Sequence, residues 1–174
     1  NNQPYMFSKS NRKVINCLFI GRIATNYNAI MKTIDLISLA HEKGFQIQLR
    51  ILGDGEGIIN VQEKANKLNT KYDKMLVHIE GYCKNVNDYI DDAHVVFGKG
   101  RSIIDSIARL RCSIVASENG NFFITTPDNI ERLSYYNFSG RNPDAGESDE
   151  KLLSFFEDII SGNYDTSILN QCRI

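Results

Sequence analysis

Five short apolar runs, each followed closely by glycine, alternate along this chain with segments of helical spacing. Residues 14–20 run into Gly21, and residues 46–52 into Gly53-Asp54-Gly55. Residues 75–79 precede Gly81, residues 95–97 meet Gly98-Lys99-Gly100, and residues 112–116 precede Glu118-Asn119-Gly120. Runs this short and this apolar read as strands buried on both faces. Between them, residues 29–41 place Ile30, Ile34, Ile37, Leu39 and Ala40 on one helical face, closed by Lys43-Gly44. Residues 58–68, 86–93 and 102–110 are the next helical segments, with Asn85 or Asn87 available to cap the second. Strand–helix alternation at this interval predicts an α/β fold. The expected architecture is a Rossmann-like three-layer α/β/α sandwich on a mainly parallel sheet of five to six strands. A short strand is expected over residues 122–125, helices over 129–136 and 151–160, and a polar loop over 142–149.

At 174 residues the chain fits one domain, large enough to bury a core without staples. Lys and Arg number 20 against 21 Asp and Glu, so no basic excess points to nucleic acid or a membrane surface. No apolar run is long enough to span a membrane, and no signal peptide is evident. Cys17, Cys83, Cys112 and Cys172 form no C-x-x-C pair. They read as free thiols, three of them in or beside apolar runs, and fit a reducing, cytoplasmic setting. The opening Asn1-Asn2-Gln3-Pro4 lacks Met and is polar. Residues 1–13 are therefore expected to be a linker remnant, and residues 14–174 a single excised domain.

In an open parallel sheet the loops after the strands share one edge, where ligands bind at the point of strand-order reversal. The most chemical of these loops is Gly98-Lys99-Gly100-Arg101-Ser102. It follows a strand and opens a helix, where free N–H groups and the helix dipole favour an anion. Lys99 and Arg101 add cationic donors. The third glycine of a dinucleotide fingerprint would fall on Ile103, and no P-loop occurs. Arg22, at the end of the first strand, can clamp a phosphate through parallel hydrogen bonds. Its other reading is a surface ion pair with Asp54 or Glu56, which themselves suit a turn. Asp105, one turn into the following helix, can accept from ribose hydroxyls or simply complement the helix dipole. His41, His78 and His94 have no metal-spaced partner, so no metal is expected. Asn137-Phe138-Ser139-Gly140-Arg141 is a polar segment after a helix that can reach the ligand edge, with no role assigned by the sequence.

Several of these stretches resemble a family. Phe19-Ile20-Gly21-Arg22 is similar to the F-x-G-R that opens the C-terminal domain of group 1 (family 4) glycosyltransferases, enzymes of the glycosyltransferase-B fold. Leu52-Gly53-Asp54-Gly55-Glu56 resembles their v-G-D-G-p, and Ile79-Glu80-Gly81-Tyr82 their f-x-G-[fy]. Asp91-Asp92-Ala93-His94-Val95-Val96 resembles y-x-x-A-D-v-x-v, and residues 102–117 resemble l-x-E-A-m-a-x-G-x-P-V-v-a-t. The likeness covers about residues 14–140 in the family's order.

The resemblance implies a donor-binding domain that faces an acceptor-binding N-terminal domain across a cleft. It implies a nucleotide-diphosphate sugar of the UDP or GDP type as substrate, no separate cofactor, and a carbohydrate or glycolipid-type acceptor held by the absent domain. That domain would also carry any peripheral membrane association. Arg22 would bind the donor diphosphate and Asp105 the ribose. Gly98, Gly100, Arg101 and Ser102 would line the phosphates, and Gly81 and Tyr82 the nucleobase. Arg22, Arg101 and Asp105 are thus the expected catalytic residues. Gly21, Gly53, Lys99 and Asn119 complete the expected donor edge. The chain departs from the pattern in four places, one of them Arg111-Cys112-Ser113 where the family has G-x-P before the fifth strand. Tyr27 stands where the family has a basic partner, Phe97 where it has the first of two glutamates, and Asp105 shortens the second. Lys99 or Arg101 can stand in for the lost cation. A non-catalytic nucleotide-sugar binder and a sugar-nucleotide 2-epimerase-like domain are the alternative readings.

Overall fold

The computed structural model describes residues 14–173; the linker expected over residues 1–13 lies outside them. The elements run β1 (Ile15–Ile20), α1 (Ile23–Glu42), β2 (Ile47–Leu52), α2 (Ile58–Tyr72), β3 (Val77–Gly81), α3 (Val86–Asp92) and β4 (Val95–Gly98). They continue with α4 (Arg101–Ala108), β5 (Cys112–Ala116), β6 (Phe122–Ile124), α5 (Ile130–Tyr135), α6 (Asp149–Ser161) and α7 (Ser167–Gln171). One six-stranded sheet has the order β3-β2-β1-β4-β5-β6. β1 to β5 are parallel, and β6 pairs antiparallel with β5.

Alternate strand residues feed two cores. Ile15, Cys17 and Phe19 of β1 pack with α1, α2 and α6 on one face. Leu18 and Val96 pack against Ile90 of α3 on the other. Further along that second face, Val115 and Phe123 meet Ile103 and Ile107 of α4, Leu133 of α5 and Phe138. This is the three-layer α/β/α sandwich that the sequence predicts.

Three elements differ from expectation. α1 starts at Ile23, six residues before residue 29. The stretch of Thr, Asn and Tyr there has modest helix propensity, but Ile23 is fully buried and Asn26 Nδ2 donates to the Arg22 carbonyl at 2.9 Å. Asn85 does precede α3, yet its side chain donates to Asp88 Oδ2 at 3.0 Å rather than accepting from the helix backbone. The short α7 carries too weak a pattern to be read from sequence. It is held by Leu169 in the core. Among the described residues no helix is long and apolar enough to cross a membrane.

At the amino edge of the sheet, buried His94 is locked to β1. Its N–H donates to the Asn16 carbonyl at 2.8 Å, and its Nδ1 accepts from the Asn16 N–H at 2.9 Å. Burial, and then the nearby Arg111 charge, pull its pKa down from 6.5 to about 4. The neutral ring is therefore the native form. Its stabilisation is complete above pH 6.5 and is lost as pH falls from there towards 4, where the unfolded chain alone binds the proton. Urea unfolding across that window should show a loss of about 3 kcal/mol, and His94→Gln should flatten part of it. Equal slopes in both proteins would contradict this role.

All four cysteines are free; Cys17, Cys112 and Cys172 are buried and Cys83 is half-buried. Burial raises the thiol pKa values of Cys17 and Cys112, that of Cys112 to about 12. A thiol reagent at pH 8 should label Cys83 in the native protein and the other three only on unfolding. Rapid native labelling of Cys17 would contradict the core packing.

Candidate functional site

Strand order reverses between β1 and β4. The chain leaves β1 through α1 toward β2 and β3, then α3 returns it to β4 on the other side of β1. The carboxyl ends of β1 and β4 therefore frame the crevice in which open α/β sheets take ligands. Ile20 pairs with Gly98. Neighbouring strands lie about 4.8 Å apart, so Gly21-Arg22 and Lys99-Gly100 leave the sheet side by side.

The glycines at these ends are there because backbones touch. A Cβ on Gly53 would lie 2.0 Å from the Gly21 carbonyl oxygen, and one on Gly98 would lie 2.9 Å from that of Ile20. Gly21 N–H donates to the Leu52 carbonyl at 3.0 Å, and Gly53 N–H to the Gly81 carbonyl at 2.9 Å. Gly81 turns with φ +78 and leads to Tyr82, which is 75% exposed. Asp54 serves the turn, as its sequence context suggests. Its carboxylate accepts from Gly55 N–H at 2.8 Å, and its carbonyl accepts from Ile23 N–H at 3.0 Å.

Arg22 stands exposed at the N-cap of α1. The Asn26 backbone N–H (3.0 Å) and Nδ2 (2.9 Å) both donate to its carbonyl. The surface ion pair with Asp54 or Glu56 is not formed, and Arg22 makes no ion pair among the described residues. Its guanidinium is the uncommitted charge on the β1 side of the crevice.

The 98–102 loop is more occupied than its sequence suggests. Gly100 takes φ +60 and gives its N–H to the Phe138 carbonyl at 2.9 Å. The Ser102 hydroxyl is buried and donates to the Lys99 carbonyl at 3.1 Å, closing the turn instead of facing out. Lys99 is ion-paired with Glu118. That contact, and more weakly the Arg141 charge, holds the Glu118 carboxyl below its usual range. Arg101 is 86% exposed and donates through Nε to Asp105 at 3.1 Å. The two cations expected to be free phosphate donors thus each have a carboxylate, and Asp105, expected at a ribose, holds Arg101. What the loop still offers is the start of α4, where the Arg101 and Ser102 N–H groups have no partner among the described residues.

Two of the departures from the family pattern, Phe97 and Tyr27, have structural roles. Phe97 is fully buried and meets Phe122 edge-on at 5.7 Å. Tyr27 packs beneath the β2–α2 loop, where a Cβ on Gly57 would lie 2.7 Å from its ring. Asn119 is exposed and accepts from the Ser117 hydroxyl, tying the β5–β6 turn. Among the described residues no group of three or more His, Cys, Asp or Glu is placed to hold a metal ion. Sequence reasoning left the 137–141 segment without a role. The structure docks it on the glycine loop through the Phe138 carbonyl.

No protein-family profile matches the chain, and no curated protein matches it in sequence. Solved structures do match in fold. TarM of S. aureus, a mutant crystallised with fondaparinux, alpha-GlcNAc-glycerol and UDP, superposes with a TM-score of 0.60 at 17% identity. The match covers 98% of this chain and 34% of that one. The lipopolysaccharide outer core galactosyltransferase WaaB in its apo form gives 0.61 at 13% identity, over 96% of this chain and 46% of that one. Anabaena HepE in complex with UDP gives 0.59 at 11%, over 91% and 43%. This chain therefore spans between a third and a half of the length of each. It has the Rossmann-like fold of a glycosyltransferase-B domain.

Proposed function

We propose that this chain is the donor-binding, C-terminal domain of a glycosyltransferase that uses a nucleotide-diphosphate sugar. The observation that carries the reading is the uncommitted Arg22 guanidinium beside the N-terminus of α4, at the switch point of a fold shared with solved glycosyltransferases. In transfer, the leaving diphosphate gains negative charge. The Arg22 guanidinium meets that charge, and the helix N-terminal amides, already aimed at it, stabilise it without reorganising. Exposed Tyr82 after β3 suits stacking on the nucleobase, as the sequence resemblance implies. The acceptor and its base belong to a facing domain, and the donor chemistry suits a cytoplasmic enzyme of polysaccharide assembly. UDP in the TarM and HepE structures favours UDP or a close analogue.

A specific observation favours a second reading. Buried Phe97 leaves no carboxylate where the family's first glutamate would meet the donor sugar, so the chain suits a nucleotide-sugar binder without transfer. Calorimetric titration with UDP, GDP, ADP and dTDP tests what the two readings share. Saturable binding of one nucleotide supports both, and binding of none overturns both. Transfer of labelled sugar by the full-length protein then separates them.

A further inference from the structure

Among the described residues the crevice offers Arg22 but no second free cation of the kind a diphosphate clamp calls for, and the segment after α5 carries one. Phe138 is buried with Ile103 and Ile107 of α4, and its carbonyl takes the Gly100 N–H at 2.9 Å. Asn137 and Phe138 both adopt left-handed backbone, with φ of 52 and 51. Asn tolerates that conformation, but it costs Phe about 1 kcal/mol or more, so the anchoring of Phe138 must hold it. Gly140, at φ +72, lies so close to the end of β5 that a Cβ there would be 2.4 Å from that of Ser117. Arg141 follows directly and is exposed. Its charge reaches the Glu118 carboxylate, which already pairs with Lys99 of the glycine loop. Arg141 makes no ion pair among the described residues, whereas Lys99 and Arg101 each do.

Resting on the donor-domain reading, we propose that Arg141 is the second guanidinium of the donor site, clamping the diphosphate from the β5 side opposite Arg22. β1 and β5 are separated by β4, hence by two strand spacings of about 5 Å each. Two arginine side chains span that gap onto adjacent phosphates. Arg141 thereby takes the part of the cation missing at Tyr27, from a different point in the chain. The left-handed pair and Gly140 exist to fold the segment back onto the carboxyl edge.

The test is calorimetric titration of the 174-residue chain with UDP and UMP, using the wild type, Arg141→Ala, Arg141→Lys and Arg22→Ala. Arg141→Ala should weaken UDP binding about tenfold or more, as loss of a charge-assisted contact to phosphate implies. UMP, which lacks the second phosphate, should change much less, and Arg141→Lys should recover part of the loss. Equal melting temperatures for wild type and Arg141→Ala confirm that folding is intact, as expected for an exposed side chain. Unchanged UDP binding by Arg141→Ala, with loss in Arg22→Ala, overturns this proposal and leaves the donor reading standing. Equal losses for UMP and UDP also overturn it. Binding of neither ligand by the wild type overturns both.

Discussion

Arg22→Ala should weaken nucleoside-diphosphate binding about a hundredfold or more while leaving the melting temperature within a degree or so. The size follows from the geometry. Arg22 is exposed and unpaired, so its side chain contributes little to folding. Against a diphosphate it offers two parallel charge-assisted bonds, each worth about 1.5–3 kcal/mol. Arg22→Lys keeps the charge and loses the fork, so its affinity should fall between the two. Calorimetry on the three proteins reads the effect directly. Binding by Arg22→Ala within threefold of the wild type would mean that the anion sits elsewhere.

Gly53→Ala should do the most damage to the fold itself. A Cβ there would lie 2.0 Å from the Gly21 carbonyl oxygen, and both atoms belong to backbone that cannot swing away. Relief requires the ends of β1 and β2 to part. That breaks the Gly21 N–H bond to Leu52 and the Ile23 N–H bond to Asp54, each 3.0 Å. A loss of about 3 kcal/mol or more is expected, or about 10 °C in melting temperature for a domain of this size. Since Arg22 lies between those two bonds, nucleotide binding should fall with it. Gly44→Ala is the control. It has nothing within 4 Å and only a left-handed φ of 92 to strain, so its cost should stay near 1 kcal/mol. Similar melting temperatures for the two variants would contradict close contact between the strand ends.

The sheet was legible because its signal is dense. Residues 112–116 are buried throughout and 15–20 nearly so, as a doubly covered parallel strand requires. Residues 47–52 instead alternate and leave Gln48 and Arg50 exposed, so β2 is covered on one face only and the expectation of strands buried on both faces fails there. The start of α1 was not legible, because Ile23 and Asn26 enter a helix on the strength of tertiary contacts that propensity does not record. The antiparallel sense of β6 follows from the tight 117–121 turn, where Asn121 N–H donates to the Ser117 hydroxyl at 2.9 Å.

At the candidate site, the strand-to-helix position of the 98–102 loop was legible in the sequence, but the contacts within it were not. The Arg101–Asp105 pair was readable, since four residues is the spacing of a helical ion pair. The Lys99–Glu118 pair was not, because only the adjacency of β4 and β5 brings residues 19 apart in sequence together. Nor does sequence reveal that Ser102 turns inward, or that the Phe138 carbonyl occupies the Gly100 N–H. On the proposed donor reading, those contacts put the weight of anion binding on Arg22 and the α4 amides instead of Lys99 and Arg101.

The most direct measurement is a titration of the isotopically labelled chain with UDP, followed by backbone amide shifts. The crevice between β1 and β4 predicts the largest shifts at Gly21, Arg22, Lys99, Arg101 and Ser102, with smaller ones at Gly53 and Gly81. Shifts centred instead on the groove lined by Asn16, Arg50, His78 and Tyr89, on the sheet face away from this edge, would contradict it.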